Sequence, residues 1–72
     1  MDEKIIKLLS EVFEVKESEL HIDLTKGDID NWDSLNHMNL VVALEEEFNI
    51  LFSDDEIVEI VSLDVIEILL FQ

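Results

Sequence analysis

Between Ser34 and Phe48 the apolar residues trace two stripes on one helix, and that doubling constrains the fold more than any other feature of the chain. Leu40, Val41, Leu44 and Phe48 follow the i, i+4, i+8 spacing of a core face, while Leu35, Met38 and Val42 form a separate line at i, i+3, i+7. A helix that is apolar on both sides is either fully buried or offers one side to a partner. With 72 residues the chain lies near the lower size limit for folding without staples, and it has little room to bury both stripes. The first stripe therefore belongs to the core. The Leu35, Met38, Val42 line, beside Glu45 and Glu46, is expected to form a docking surface, a small apolar patch rimmed by charge.

The helix starts abruptly, where a polar, turn-rich stretch meets Asp33-Ser34-Leu35. A hydroxyl at that seam sits near unpaired backbone N–H groups and the positive end of the helix dipole, which favour any negative charge attached to it. Ser34 is read as the place for a phosphate-linked cofactor; the alternative is that it only caps the helix. Asp33 has the side chain of an ordinary N-cap.

The other elements follow from the same periodicity. Ile5, Leu8, Leu9, Val12 and Phe13 form one stripe, Asp2 can cap it, and a first helix is expected over about residues 2–14. Residues 15–33 hold no helical period, but Leu20, Ile22, Leu24 and Ile29 are spaced along them, so this long loop should pack its aliphatic side chains inward. Gly27, the only glycine, is the natural place for a positive φ, and Trp32 either wedges the loop against the helix start or stays partly exposed. Ser53 to Glu56 is a capping box opening a short helix over about 54–61, and Leu63, Ile66, Leu69 and Leu70 give a last helix over 63–71. The expected fold is all-α: one domain, a bundle of three main helices, the second over 34–48, plus one short helix.

Charge narrows the partners. Nineteen acidic residues face four lysines and no arginine, for a formal charge of −15, and all four lysines fall in the first 26 residues. Such a surface repels nucleic acid and anionic membranes and suits basic proteins. An apolar content of 49% is far above a disordered composition, so the chain should fold, although self-repulsion should leave it marginally stable and sensitive to salt. No cysteine, signal-peptide pattern or run of membrane-spanning length occurs, and the expectation is a cytoplasmic monomer.

Self-contained chemistry is poorly supported. A serine hydrolase needs a base, an orienting group and oxyanion donors; His37 lies one turn from Ser34, but no Gly-x-Ser-x-Gly elbow exists. A calcium loop starting at Asp28 finds Asp33 and Asn39 where glycine and glutamate are needed. His21 and His37 lack partners at metal-ligand spacing, so neither a catalytic nor a metal site is assigned.

Asp33-Ser34-Leu35, Leu40 and the helix end Ala43-Leu44-Glu45-Glu46-Glu47-Phe48 together resemble the acyl carrier protein family. The likeness extends to length, acidity, the long first loop and the helix pattern. It implies that Ser34 is esterified with 4′-phosphopantetheine, taken from coenzyme A by a phosphopantetheinyl transferase that reads Asp33 among its recognition residues. It also implies that the arm's thiol carries acyl groups as thioesters to enzymes with basic patches. Leu35, Met38 and Val42 match the family's docking positions, as do the acidic Glu45 and, better, Glu46. The protein so implied is a carrier, not an enzyme, serving fatty acid, lipid, polysaccharide or polyketide-type synthesis. An aminoacyl or peptidyl carrier and a non-carrier acidic adaptor are the alternatives. Against the pattern usual in fatty acid synthesis, Asn36 and Asn39 replace acidic residues, Trp32 replaces a small one, and His37 completes Trp-Asp-Ser-Leu-x-His. A role for His37 near the phosphodiester is weighed against a packed helix histidine.

Overall fold

The computed structural model describes residues 2–71. Among these residues four α-helices follow in order: α1 Glu3–Phe13, α2 Ser34–Phe48, α3 Asp54–Glu59 and α4 Leu63–Phe71. Among the described residues the only β-type pairing is an isolated antiparallel bridge between Thr25 and Ser62, so the fold is an all-α bundle of three main helices and a short one.

α1, α2 and α3 each begin where a side chain can satisfy the first free N–H groups. Asp2 accepts from the Lys4 N–H at 2.8 Å and Asp33 from the Asn36 N–H at 2.8 Å. Ser53 and Glu56 close a reciprocal capping box, with the Ser53 N–H on the Glu56 carboxylate at 2.9 Å and the Glu56 N–H on the Ser53 hydroxyl at 3.2 Å. The helix ends are set differently. α1 and α2 stop at Glu14 and Asn49, which turn left-handed with φ of 56° and 53°. Asn tolerates that region; for Glu14 the conformation is uncommon, and the Val15 N–H returns to the Ser10 carbonyl at 3.3 Å to hold it.

One core joins the elements. Ile5, Leu9 and Phe13 from α1, Leu40, Val41 and Leu44 from α2, and Leu63 and Ile66 from α4 are buried with Ile29, Trp32 and Ile60. At roughly 1.5–3 kcal/mol for each fully buried Val, Leu, Ile or Phe side chain, this cluster is the main stabilising term. Trp32 stacks on Phe13 with ring centroids 5.0 Å apart, so it wedges the loop against the bundle rather than standing exposed.

Four sequence expectations need correction. The stretch 15–33 is not free of secondary structure: Glu17–Glu19 and Lys26–Asp28 form 3-10 turns. Gly27 lies inside the second turn and has no positive φ, and a Cβ there would meet only the Thr25 hydroxyl at 3.9 Å, so neither conformation nor space demands glycine. Ile22 is exposed, while Leu20 and Leu24 are half-buried and Ile29 is buried. Finally, α3 ends at Glu59 rather than near residue 61 because the chain beyond it is drawn out to meet the loop. The Lys26 N–H donates to the Val61 carbonyl at 2.7 Å and the Leu63 N–H to the Leu24 carbonyl at 3.0 Å. The loop is itself braced there: the Asp28 carboxylate accepts from the Thr25 N–H at 3.0 Å and the Thr25 hydroxyl at 3.1 Å. Those bonds, the backbone one first, hold its carboxyl below the usual aspartate range.

Candidate functional site

Ser34 is the first residue of α2 and is exposed. Its neighbours fix the corner on which it stands. The Trp32 N–H donates to the Ile29 carbonyl at 3.1 Å and the Asp33 N–H to the Asn31 carbonyl at 2.9 Å, turning the chain into the helix. Asp33 is extended and caps α2 through Asn36, and its carbonyl accepts the first helical bond, from the His37 N–H at 2.8 Å. The Ser34 and Leu35 N–H groups precede that first bond, so both belong to the free positive end of the helix.

Two side-chain relays then tie this corner to the rest of the molecule. In the first, Asn31 Nδ2 donates to the Phe13 carbonyl at the end of α1 at 2.8 Å, Asn36 Nδ2 donates to the Asn31 carbonyl at 2.8 Å, and Asn39 Nδ2 donates to Asn36 Oδ1 at 3.1 Å. In the second, the buried Trp32 indole N–H donates to His37 Nδ1 at 2.9 Å, and His37 Nε2 lies 2.8 Å from the Ile57 carbonyl on α3. An indole nitrogen can only donate, so His37 Nδ1 accepts; the neutral ring then carries its proton on Nε2 and donates to Ile57. Both ring nitrogens are thereby used, and neither is left to act as a base on Ser34 or to meet a group attached to it.

The residues expected to face a partner divide. Leu35 is 72% exposed, and Met38 and Val42 are exposed beside it, so the second stripe of α2 lies open. Glu46 is exposed as well. Glu45 is half-buried, and its Oε2 accepts the Phe52 N–H at 2.8 Å, so this carboxylate braces the connection between α2 and α3. Val42, Glu45, Glu46, Asn49, Ile50 and Leu51 line an open groove that continues the stripe. Leu51, 88% exposed, is the residue that helix periodicity misses, since it sits in the connection after the left-handed Asn49. Its signal is an apolar side chain in a turn. Among the described residues no three His, Cys, Asp or Glu side chains gather as a metal site.

No protein-family model matches the chain. Curated relatives do. Acyl carrier proteins of Buchnera aphidicola subsp. Acyrthosiphon pisum, strains Tuc7, 5A and APS, are each 38% identical to it over 56 residues, 78% of this chain and 70% of theirs. The chain belongs to the acyl carrier protein family. Its relatives are carriers rather than enzymes. The bundle described above is the small helical fold of that family, with α2 placing Ser34 at its exposed start.

Proposed function

We propose that this protein is an acyl carrier: Ser34 holds a 4′-phosphopantetheine arm derived from coenzyme A, and acyl groups travel on it to partner enzymes. The observation that carries the proposal is the placement of Ser34, exposed at the first position of a 15-residue helix, in a member of this family. A phosphodiester fits there. The serine opens to solvent, the adjacent N–H groups and helix dipole favour an anion by roughly 0.3–1 kcal/mol at an exposed site, and Asp33 has turned its carboxylate to Asn36. The bound arm would supply a terminal thiol for thioester linkage. The chain supplies the attachment oxygen, the helix end, and a face of Leu35, Met38, Val42 and Glu46 for docking; Glu45 supports that face from behind by holding Phe52.

Asp33 shapes what the phosphopantetheinyl transferase recognises by defining the helix start. Partner enzymes are those with basic patches, because every side chain ionised at pH 7 from Gly27 onward is acidic. A cytoplasmic monomer is the form we propose, and no helix among the described residues is long and apolar enough to cross a membrane.

Incubation with a broad-specificity phosphopantetheinyl transferase, magnesium and coenzyme A tests the proposal by intact mass. The wild-type protein should gain one arm and Ser34→Ala none. Absence of a gain would leave the acidic adaptor reading, and a gain that survives Ser34→Ala would place the arm elsewhere. Thioester-linked groups on protein isolated from its own cells then separate acyl from aminoacyl cargo.

A further inference from the structure

We propose that His37 is a positioning residue that latches α3 to the start of α2 and pins the corner carrying Ser34 from both sides. The idea deepens the carrier reading of Ser34 and rests on that reading for its consequence, but its geometry stands alone.

α3 needs such a latch. It has six residues, far fewer than an isolated helix requires, and none of them is fully buried. Its apolar anchors are the half-buried Ile57 and, just past its end, the buried Ile60, while Val58 is exposed. Two side chains of α2 reach across to this segment: Glu45 holds the Phe52 N–H before α3, and His37 holds the Ile57 carbonyl within it, each at 2.8 Å. His37 differs from Glu45 in having a second partner. Through Nδ1 it accepts from Trp32, which is packed on Phe13 of α1. One imidazole therefore links α1, the residue two before Ser34, the first turn of α2 and α3. Trp32 and His37 straddle the serine, so a bond between them stiffens the turn that presents it. The surface a transferase meets at Ser34 then includes an α3 held in one place.

The two ring nitrogens can be tested separately, because an Asn amide oxygen replaces Nδ1 and a Gln amide nitrogen replaces Nε2. In wild type, nitrogen NMR of the His37 ring should show the proton on Nε2. In His37→Ala, amide exchange in α3 should speed by about threefold to tenfold relative to α1, the range expected for one hydrogen bond. His37→Gln, which keeps a donor for Ile57, should restore most of the α3 protection. His37→Asn should not, although it should preserve protection of the indole N–H of Trp32, the only tryptophan. A histidine that merely fills space would not separate Asn from Gln in this way. Equal acceleration in α1 and α3, unchanged α3 exchange in His37→Ala, or rescue by Asn instead of Gln would each overturn the latch. In the transferase assay, His37→Ala should raise the carrier's KM by about threefold to tenfold with kcat within about twofold, and Gln should lower KM again. An unchanged KM alongside a loosened α3 would overturn the link to Ser34. A wild-type protein that accepts no arm overturns the carrier reading alone, and the exchange comparison then still decides the latch.

Discussion

Asn36 shows how a residue can mean something different in a sequence and in a structure. By charge it is a missing acid near the start of α2; in the fold it is a donor, with Nδ2 2.8 Å from the Asn31 carbonyl. Asn36→Asp would gain about 0.6 kcal/mol from the helix dipole. It would lose a hydrogen bond worth about 1 kcal/mol and add about 0.3 kcal/mol of repulsion from Asp33 at i, i+3 spacing. The net expectation is a destabilisation of about 0.7 kcal/mol, read from urea unfolding; an unchanged or more stable variant would mean that the amide donates nothing of value. The same contrast describes how far the site was legible. The helix start at Asp33 and Ser34 could be read from sequence because a cap is local, reaching only from Asp33 to Asn36. The Trp32–His37 and His37–Ile57 bonds span 5 and 20 residues, and the second exists only once α3 has been brought to α2. Glu45 and Glu46 look alike in a run of acids, and only the path of the chain to Phe52 distinguishes the brace from the exposed charge.

At the scale of elements, the starts of α1, α2 and α3 were legible, and the stop of α3 was not. A helix starts where a short polar side chain can satisfy free N–H groups, and Asp2, Asp33 and Ser53 all do so. The end of α3 depends on pairing with residues over thirty positions away, since Val61 is drawn toward Lys26 and Leu63 toward Leu24. The left-handed turns fall at Glu14 and Asn49 while the only glycine sits in a 3-10 turn, so glycine was a poor guide here. The capping box of α3 offers a test of how the short helix is coupled to the rest. Ser53→Ala removes the acceptor for the Glu56 N–H but leaves the Glu56 carboxylate on the Ser53 N–H. The expected cost is about 1 kcal/mol. It should appear as faster amide exchange in α3 than in α1, as for His37→Ala, because a six-residue helix with no fully buried residue opens ahead of the rest of the bundle. Equal acceleration in α1 and α3 together with a lower urea midpoint would make α3 part of one cooperative unit.

For the whole molecule the deciding quantity is charge in so small a volume. The formal charge is −15, the Cα radius of gyration is 10.9 Å, and the longest extent is 28 Å. At 0.01 M salt the screening length is about 30 Å, so each carboxylate repels every other across the full width of the protein; at 0.1 M it is about 10 Å and only near neighbours count. Unfolding spreads the same charges apart, so dilute buffer favours the unfolded chain. The core that opposes this is, among the described residues, a single cluster of eleven buried side chains, and a repulsion of even 1 kcal/mol shifts the midpoint of a domain this size by about 4–8 °C. The thermal midpoint should therefore climb by several degrees between about 0.01 M and 0.5 M sodium chloride, most steeply at the low end where screening changes fastest. Attraction to a basic partner has the opposite dependence, because it comes from the same acidic surface. In one salt series the protein should grow more stable while its KM as a transferase substrate rises, a divergence that loss of folded protein could not produce. A flat midpoint would show that the packed core, rather than charge, limits stability; a KM that fell with salt would remove the acidic face from recognition.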